Sequence, residues 1–280
     1  MLLIIEALLL ISPALGQDHR NAAAGQIFPL DMAPNSVDDN YDSCTKEMAN
    51  LVKTKYLEKE MSDLPEFKKS WQEGEVNATA PEDNLTRNHS IAIYMYTNSG
   101  FNVYRDFNNA VRSDKDKYKN NTYEWYSLHF LLTEAIQILN KTQNKCFSTY
   151  RGTNLQFNKD VLNTTVRFGQ FASSSLNRTV TEVFGNASCF EIKTCEGANL
   201  TKYSKFPYEE EVLIPPYEMF KVTAVKRRED QKDLWCETVF VLNSTGIRSD
   251  VSCVLCNRGS QAAVFNVLLI LTTFCKVLIS

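Results

Sequence analysis

The sequence predicts an α+β protein, a helical N-terminal portion followed by a β-rich half. Three observations carry this. Apolar residues recur at helical spacing from Thr45 to about residue 140; after Lys145 the texture changes to short β-type runs punctuated by Gly and Pro; and both chain ends are dense apolar runs that stand apart from the body. Helices first and strands later exclude an alternating parallel α/β arrangement.

Met1 to Gly16 (MLLIIEALLLISPALG) is too short to span a bilayer and closes on the small-x-small triplet Ala14-Leu15-Gly16, the pattern of a secretory signal peptide. Glu6 interrupts it, and a buried N-terminal element is the alternative. Residues 17–43 are polar, with Asn, Asp and Pro, and read as a loosely ordered leader. From Thr45 to Met61, Met48, Leu51, Val52 and Tyr56 fall near helical spacing. Phe67 to Trp71, Ile91 to Val111 and Trp125 to Leu139 continue the helical theme, the last with Leu128, Leu131, Leu132, Ile136 and Leu139 on one stripe. His129 lies among these apolar residues and reads as a core or helix-surface histidine. Strand-like runs follow at Phe147 to Arg151, Val166 to Phe171, Phe190 to Thr194, Glu211 to Ile214 and Thr238 to Leu242. No linker or internal repeat divides the chain, so one domain over residues 44–245 is expected, with a spacer over 246–263.

The tail, residues 264–280, is apolar to the last residue and has no basic flank to stop a span. With small Ser252 and a polar spacer before it, this is the pattern of a glycosylphosphatidylinositol (GPI) attachment signal; a spanning tail anchor or a buried C-terminal element is the alternative. Ten Asn-x-Ser/Thr sequons, at Asn77, Asn84, Asn88, Asn120, Asn140, Asn163, Asn177, Asn186, Asn199 and Asn243, fit a glycoprotein facing the outside. Eight cysteines agree with an oxidising compartment, but they allow 105 pairings and the sequence does not choose. Cys253 and Cys256 have CxxC spacing, yet no second pair and no nearby His accompany them.

The composition, 44% hydrophobic and 22% charged with a net charge of -3, excludes a disordered chain and a basic nucleic-acid binder. Enzyme motifs of the GxSxG, HExxH, GxxxxGK[ST] and GxGxxG kinds are absent, and three histidines leave little for triad or zinc chemistry. Three segments remain in the β-rich half. Tyr150-Arg151-Gly152 puts an arginine in a strand just before a glycine. Phe168 to Ser175 (FGQFASSS) ends a strand in three hydroxyls. Glu209-Glu210-Glu211 leads directly into Val-Leu-Ile-Pro. Taken singly, each is usually a surface feature; in extended chain Glu209 and Glu211 would face the same way.

Together and in this order, these segments resemble the Arg, Ser-x-Ser and Glu-x-Glu motifs of the arginine-specific ecto-mono-ADP-ribosyltransferases. Ala92 to Arg112, Leu128 to Leu139, VRFGQFASSSL, EIKTCEG and EEEVLIPPYE resemble family segments as well, so the likeness covers roughly residues 44–245. It implies a two-layer mixed β core clamping NAD, preceded by helices, and transfer of ADP-ribose from NAD to a target arginine with release of nicotinamide. The transition state is oxocarbenium-like, so a carboxylate at the ribose is worth more there than in the ground state.

By this resemblance Glu211 is the catalytic carboxylate, accepting the ribose 2′-hydroxyl. Glu209 orients the target guanidinium and takes its proton, since a protonated guanidinium is a poor nucleophile. Arg151 anchors the dinucleotide, Gly152 lets backbone approach the ligand, and Ser173 hydrogen-bonds near the nicotinamide ribose and holds Glu211. Phe184 stacks near nicotinamide, and Tyr208 contacts the target protein. The resemblance also implies disulfides Cys44–Cys236 and Cys146–Cys195, with Cys189 left over. NAD is the consumed substrate and no metal is expected. The expected partners are arginine-bearing extracellular or membrane proteins and, through the GPI anchor, the outer membrane leaflet. A surface NAD glycohydrolase and a catalytically inactive GPI-anchored glycoprotein are the alternatives.

Overall fold

A computed structural model describes residues 25–98, 100 and 102–256; the signal-peptide and GPI-tail expectations concern residues outside these. Helix α1 (Thr45–Leu51), a π-helical turn (Val52–Tyr56) and α2 (Leu57–Asp63) run on without a break in helical backbone. Met48, Val52, Tyr56 and Glu60 are buried along it, one every fourth position. An α-helix turns through 3.6 residues, so such a stripe drifts by about 40° at each step. The wider π turn takes up part of that drift.

Helices α3 (Pro65–Asn77), α4 (Arg87–Thr97), α5 (Val103–Ser113), α6 (Lys115–Lys119) and α7 (Tyr126–Gln143) complete the helical half. The single helix expected over Ile91 to Val111 is therefore two, broken after Thr97. At the start of α4 the Thr86 hydroxyl accepts from His89 N–H while His89 Nδ1 accepts from Thr86 N–H, a capping box closed by histidine. His129 is fully buried against Tyr41, Phe107, Tyr118, Tyr123 and Phe171. Burial lowers its pKa to about 3, so the ring is a neutral core group.

The strands are β1 (Ile27–Phe28), β2 (Phe147–Thr153), β3 (Gln156–Phe157), β4 (Thr165–Val166), β5 (Ala172–Ser175), β6 (Ser188–Thr194), β7 (Ala198–Asn199), β8 (Glu211–Ile214), β9 (Glu218–Arg227) and β10 (Thr238–Ile247). Eight of them form one mixed sheet in the order β4-β9-β10-β6-β2-β5-β8-β7, with β6 and β10 parallel. The expected strand over Val166 to Phe171 is instead the end of β4 and a bend, Gly169 lying at φ +70°.

Strands β2 and β5 share one pair, Tyr150 with Ser175, whereas β2 and β6 share seven. That lone pair is the hinge of the sheet. Ala172 and Ile214, from the β5–β8 wing, pack in the same apolar cluster as Phe190, Ile192, Phe220, Val222, Phe240 and Leu242 of the other wing, which makes the core two-layered. On the opposite face, Phe171, Ala198, Leu200 and Leu213 join the helical cluster.

Two expectations are corrected by the packing. The supposed leader is part of the folded body from Ile27 on: β1 pairs with β3, and Val37, Asp38, Asp39 and Tyr41 are almost completely buried. Its polar composition arises because Asp38 accepts from Arg167 and from the N–H groups of Asp250 and Val251, while Asp39 accepts from Tyr118, Tyr41 N–H and Cys253 N–H. Carboxylates that satisfy buried donors read in a sequence as a loop.

The cysteines are paired Cys44–Cys253, Cys146–Cys195 and Cys189–Cys236. Cys44 does not bond Cys236, and Cys189 is not left over. Parallel pairing of β6 with β10 puts Cys189 opposite Val239, beside the approach to β10 that carries Cys236. Cys44, at the start of α1, meets Cys253 because Asp38 and Asp39 hold residues 250–253 against the helical half. Attachment of an anchor at Ser252 would cut away Cys253 and open that bond. Residues 246–253 are thus part of the domain, Val251 and Cys253 being buried.

Candidate active site

Arg151, Ser173, Glu209 and Glu211 converge near the hinge between β2 and β5. Arg151, on β2, is 3% exposed; its Nη1 donates to the Ser173 carbonyl at 2.6 Å, bridging the two strands where they part. Its Nη2 has no hydrogen-bond partner among the described residues. The same side chain lines a cavity of about 230 Å³ with Arg112, Thr153, Phe168, Gln170 and Phe190 among the other walls. A buried guanidinium with an unused N–H edge on a cavity is suited to phosphate oxygens. Ser173, Glu209 and Glu211 are not among the residues lining that cavity, so of the four Arg151 is the one that reaches it.

The three serines of β5 have separate tasks. Ser174 donates to the Val212 carbonyl at 2.8 Å and Ser175 to the Glu209 carbonyl at 2.7 Å, tying β5 to β8 and to the turn before it. Ser173 points to the helical side, where its hydroxyl lies 3.4 Å from the Tyr96 oxygen. Tyr96 donates to the Phe171 carbonyl and accepts from Asn108 Nδ2, so it is itself fixed. Burial holds the Tyr96 phenol well above its usual range, with nearby Tyr104 and Glu211 adding to the effect.

Glu211 is completely buried, and neither carboxylate oxygen meets a close hydrogen-bond donor among the described residues. Burial raises its pKa to about 7; Ser173 and Arg151 nearby offset only part of that. Glu209 is also fully buried, but not by strand alternation. It ends a short 3₁₀ turn (Pro207–Glu209), and Glu210 then takes a left-handed conformation at φ 48°. That conformation costs a non-glycine residue roughly 1–2 kcal/mol. Hydrogen bonds from Leu176 N–H to Glu210 O and from Glu210 N–H to Pro207 O hold it in place.

Gly152 is needed for a different contact from the one expected. A Cβ there would stand 2.6 Å from Gly185 O and 2.7 Å from Thr181 O, so the glycine admits the protein's own loop. Phe184 closes the 3₁₀ turn of that loop and is buried. Tyr208 is 55% exposed, its ring 5.9 Å from that of Phe206. Sequence reasoning missed Tyr96, Asn108, Arg112 and Gln170. The turn residues Asn98, Ser99 and Gly100 signal the break after Thr97, but nothing local in the sequence shows that Tyr96 faces Ser173.

This architecture defines a class, the ADP-ribosyltransferases. A eukaryotic mono-ADP-ribosyltransferase, ART2.2, superposes with a TM-score of 0.66 at 29% identity over 81% of this chain and 98% of that one. Variants of ART2.2 have been solved in complex with NADH and with NAD. The chain belongs to the NAD:arginine ADP-ribosyltransferase family, whose sequence profile matches residues 30–239. Human ecto-ADP-ribosyltransferase 5 is 36% identical over 234 residues, covering 78% of this chain and 79% of that protein. Mouse T-cell ecto-ADP-ribosyltransferase 2 is 37% identical over 237 residues, covering 81% and 77%. Chicken NAD(P)(+)--arginine ADP-ribosyltransferase 2 is 38% identical over 206 residues, covering 69% and 64%.

Proposed function

We infer that the protein transfers ADP-ribose from NAD to arginine side chains and releases nicotinamide. The observation that carries this is Glu211, a completely buried carboxylate whose nearest polar neighbours among the described residues are Ser173 and Arg151, two residues after buried Glu209. Such a group stabilises positive charge developing on a ribose, because no solvent shell has to be stripped from it in the transition state. Breaking the C1–N bond releases nicotinamide with its electron pair, and the arginine nitrogen bonds to C1 as its proton passes to Glu209. Arg151 meets the diphosphate with its unused Nη2, Ser173 holds Glu211 toward the ribose, and Phe184 lies beside nicotinamide. Tyr208, exposed one residue before Glu209, faces the target protein. NAD is substrate, and no step in this scheme uses a metal.

The test is incubation of the purified ectodomain with labelled NAD and agmatine. Label on agmatine with release of nicotinamide is expected; neither would sink the reading. Nicotinamide release that ignores agmatine would favour the hydrolase alternative.

We also propose a cell-surface glycoprotein held by a GPI anchor. The "ecto" names of the relatives, three disulfides and exposed sequons at Asn77, Asn84, Asn88, Asn120, Asn163, Asn186 and Asn243 support this. The attachment point is then beyond Cys253, contrary to the expectation for Ser252. Release from cells by a phosphatidylinositol-specific phospholipase is the expected result, and retention would favour a spanning tail.

A further inference from the structure

We propose that Lys205 is a positioning residue that sets how the reaction divides between transfer to arginine and hydrolysis of NAD. The inference rests on the transferase reading above. Glu211 and Glu209 are only two residues apart but are held by different parts of the molecule. Glu211 starts β8, which is laddered to β5 on one side and β7 on the other. Glu209 ends a turn, and its backbone touches the sheet through Ser175 Oγ, which donates to its carbonyl.

On its other side that turn is gripped by the helical half. Lys205 Nζ donates to Asn98 Oδ1 at 2.7 Å and to Glu73 Oε1 at 3.2 Å, and its backbone N–H donates to Thr97 Oγ1 at 3.0 Å. Its ammonium lies 5.6 Å from the centre of the Tyr94 ring, and the Tyr94 hydroxyl donates to the same Glu73 oxygen. Asn98 is completely buried, and its Oδ1 also accepts from Gly100 N–H. Three groups from two helices thus fix the chain four residues before Glu209. A lysine tied to a buried amide and to a carboxylate that also serves a tyrosine is more than a surface ion pair.

The consequence follows from the separate supports. Loosening Lys205 lets the turn, and with it Glu209, move away from the incoming guanidinium, while Glu211 stays in its ladder. Water needs no oriented guanidinium, so hydrolysis is spared. A misplacement on the scale of an ångström costs an oriented reaction up to roughly a hundredfold.

The decisive comparison is Lys205→Met against wild type, with agmatine modification and agmatine-free nicotinamide release measured on the same preparation and the melting temperature recorded. Transfer falling by about tenfold, chiefly in kcat, with hydrolysis within about twofold, is the expected result. Lys205→Arg, which keeps a donor to Asn98 and Glu73, restores most of the transfer. Glu73→Gln moves the ratio in the same direction by a smaller factor. An equal loss of both activities in Lys205→Met, or an unchanged ratio, overturns the proposal. Absence of both activities in wild type would instead overturn the transferase reading itself.

Discussion

Two kinds of buried carboxylate occur in this molecule. Asp38, Asp39, Glu60 and Glu218 are surrounded by donors. Asp38 has Arg167 and two backbone N–H groups; Asp39 has Tyr118 and the N–H groups of Tyr41 and Cys253; Glu60 receives Ser127 N–H with both oxygens; Glu218 receives Thr194, Cys195 N–H and Glu196 N–H. Glu211 is buried as deeply and has no such set. Burial alone therefore does not separate the two kinds. What distinguishes them is whether the protein has already used the oxygens.

Glu60 makes the point well, since it looks like a second site. It lines a cavity of about 310 Å³ with Tyr56, Tyr123 and Tyr126, and burial raises its pKa to about 8. Yet helix α7 begins at Trp125 without a side-chain cap, and Glu60 supplies that cap from α2. Its oxygens are occupied, and the group is structural.

The largest effect is expected for Asp38→Asn, which leaves buried Arg167 with only the more distant Asp250, 3.9 Å away, as counter-charge and should destabilise by about 3–5 kcal/mol in denaturant unfolding. A loss below about 1 kcal/mol would mean that Asp38 is not structural in this sense. Glu211→Gln should do the reverse, lowering agmatine modification and nicotinamide release by roughly 10²–10³-fold while stability holds or rises. Full activity in that variant would remove Glu211 from the catalytic role.

Glu211, Glu60 and Asp39 all have folded pKa values raised by burial, to about 7, 8 and 6. Each favours the folded state when protonated, so the stability it contributes is full below the ordinary carboxylate range and is lost as pH rises from about 4 to 8. The share of Glu211 is about 3 kcal/mol, and Glu211→Gln should flatten that part of the stability profile. Transfer needs the ionised form, so kcat/KM should climb with pH through an apparent pKa near 7. A profile flat from pH 5 to 8 would contradict both.

The smallest effect concerns an amide rather than an acid. Asn140 heads a sequon, but its Nδ2 donates to Cys195 O at 2.8 Å and Gly197 O at 2.9 Å. A glycan would take one of those hydrogens, so peptide mapping should find Asn140 unmodified. Asn140→Gln should cost about 1–2 kcal/mol. Occupancy at Asn140 in folded, active protein would refute this.

The order of helices and strands was legible because it rests on local periodicity, and the motif resemblance singled out Arg151, Ser173 and Glu211, which the fold brings near one another. What sequence could not supply depended on contacts between distant segments. Cys44 meets Cys253 across 209 residues only because buried aspartates in an apparently loose stretch accept N–H groups from residues 250–253. Glu209 and Glu211 are both buried, but where strand alternation was expected the chain passes through a 3₁₀ turn and a left-handed Glu210, and no residue type at that position announces such a turn.

The Cys44–Cys253 bond also decides how the domain carries mechanical load. A pull on the chain beyond residue 256 meets that covalent link, with the Asp38 and Asp39 contacts beside it, before it can reach β10. Tension arriving from the C-terminal side is thus diverted into the start of α1. The sheet that holds Arg151 and Glu211 stays off the path of the force.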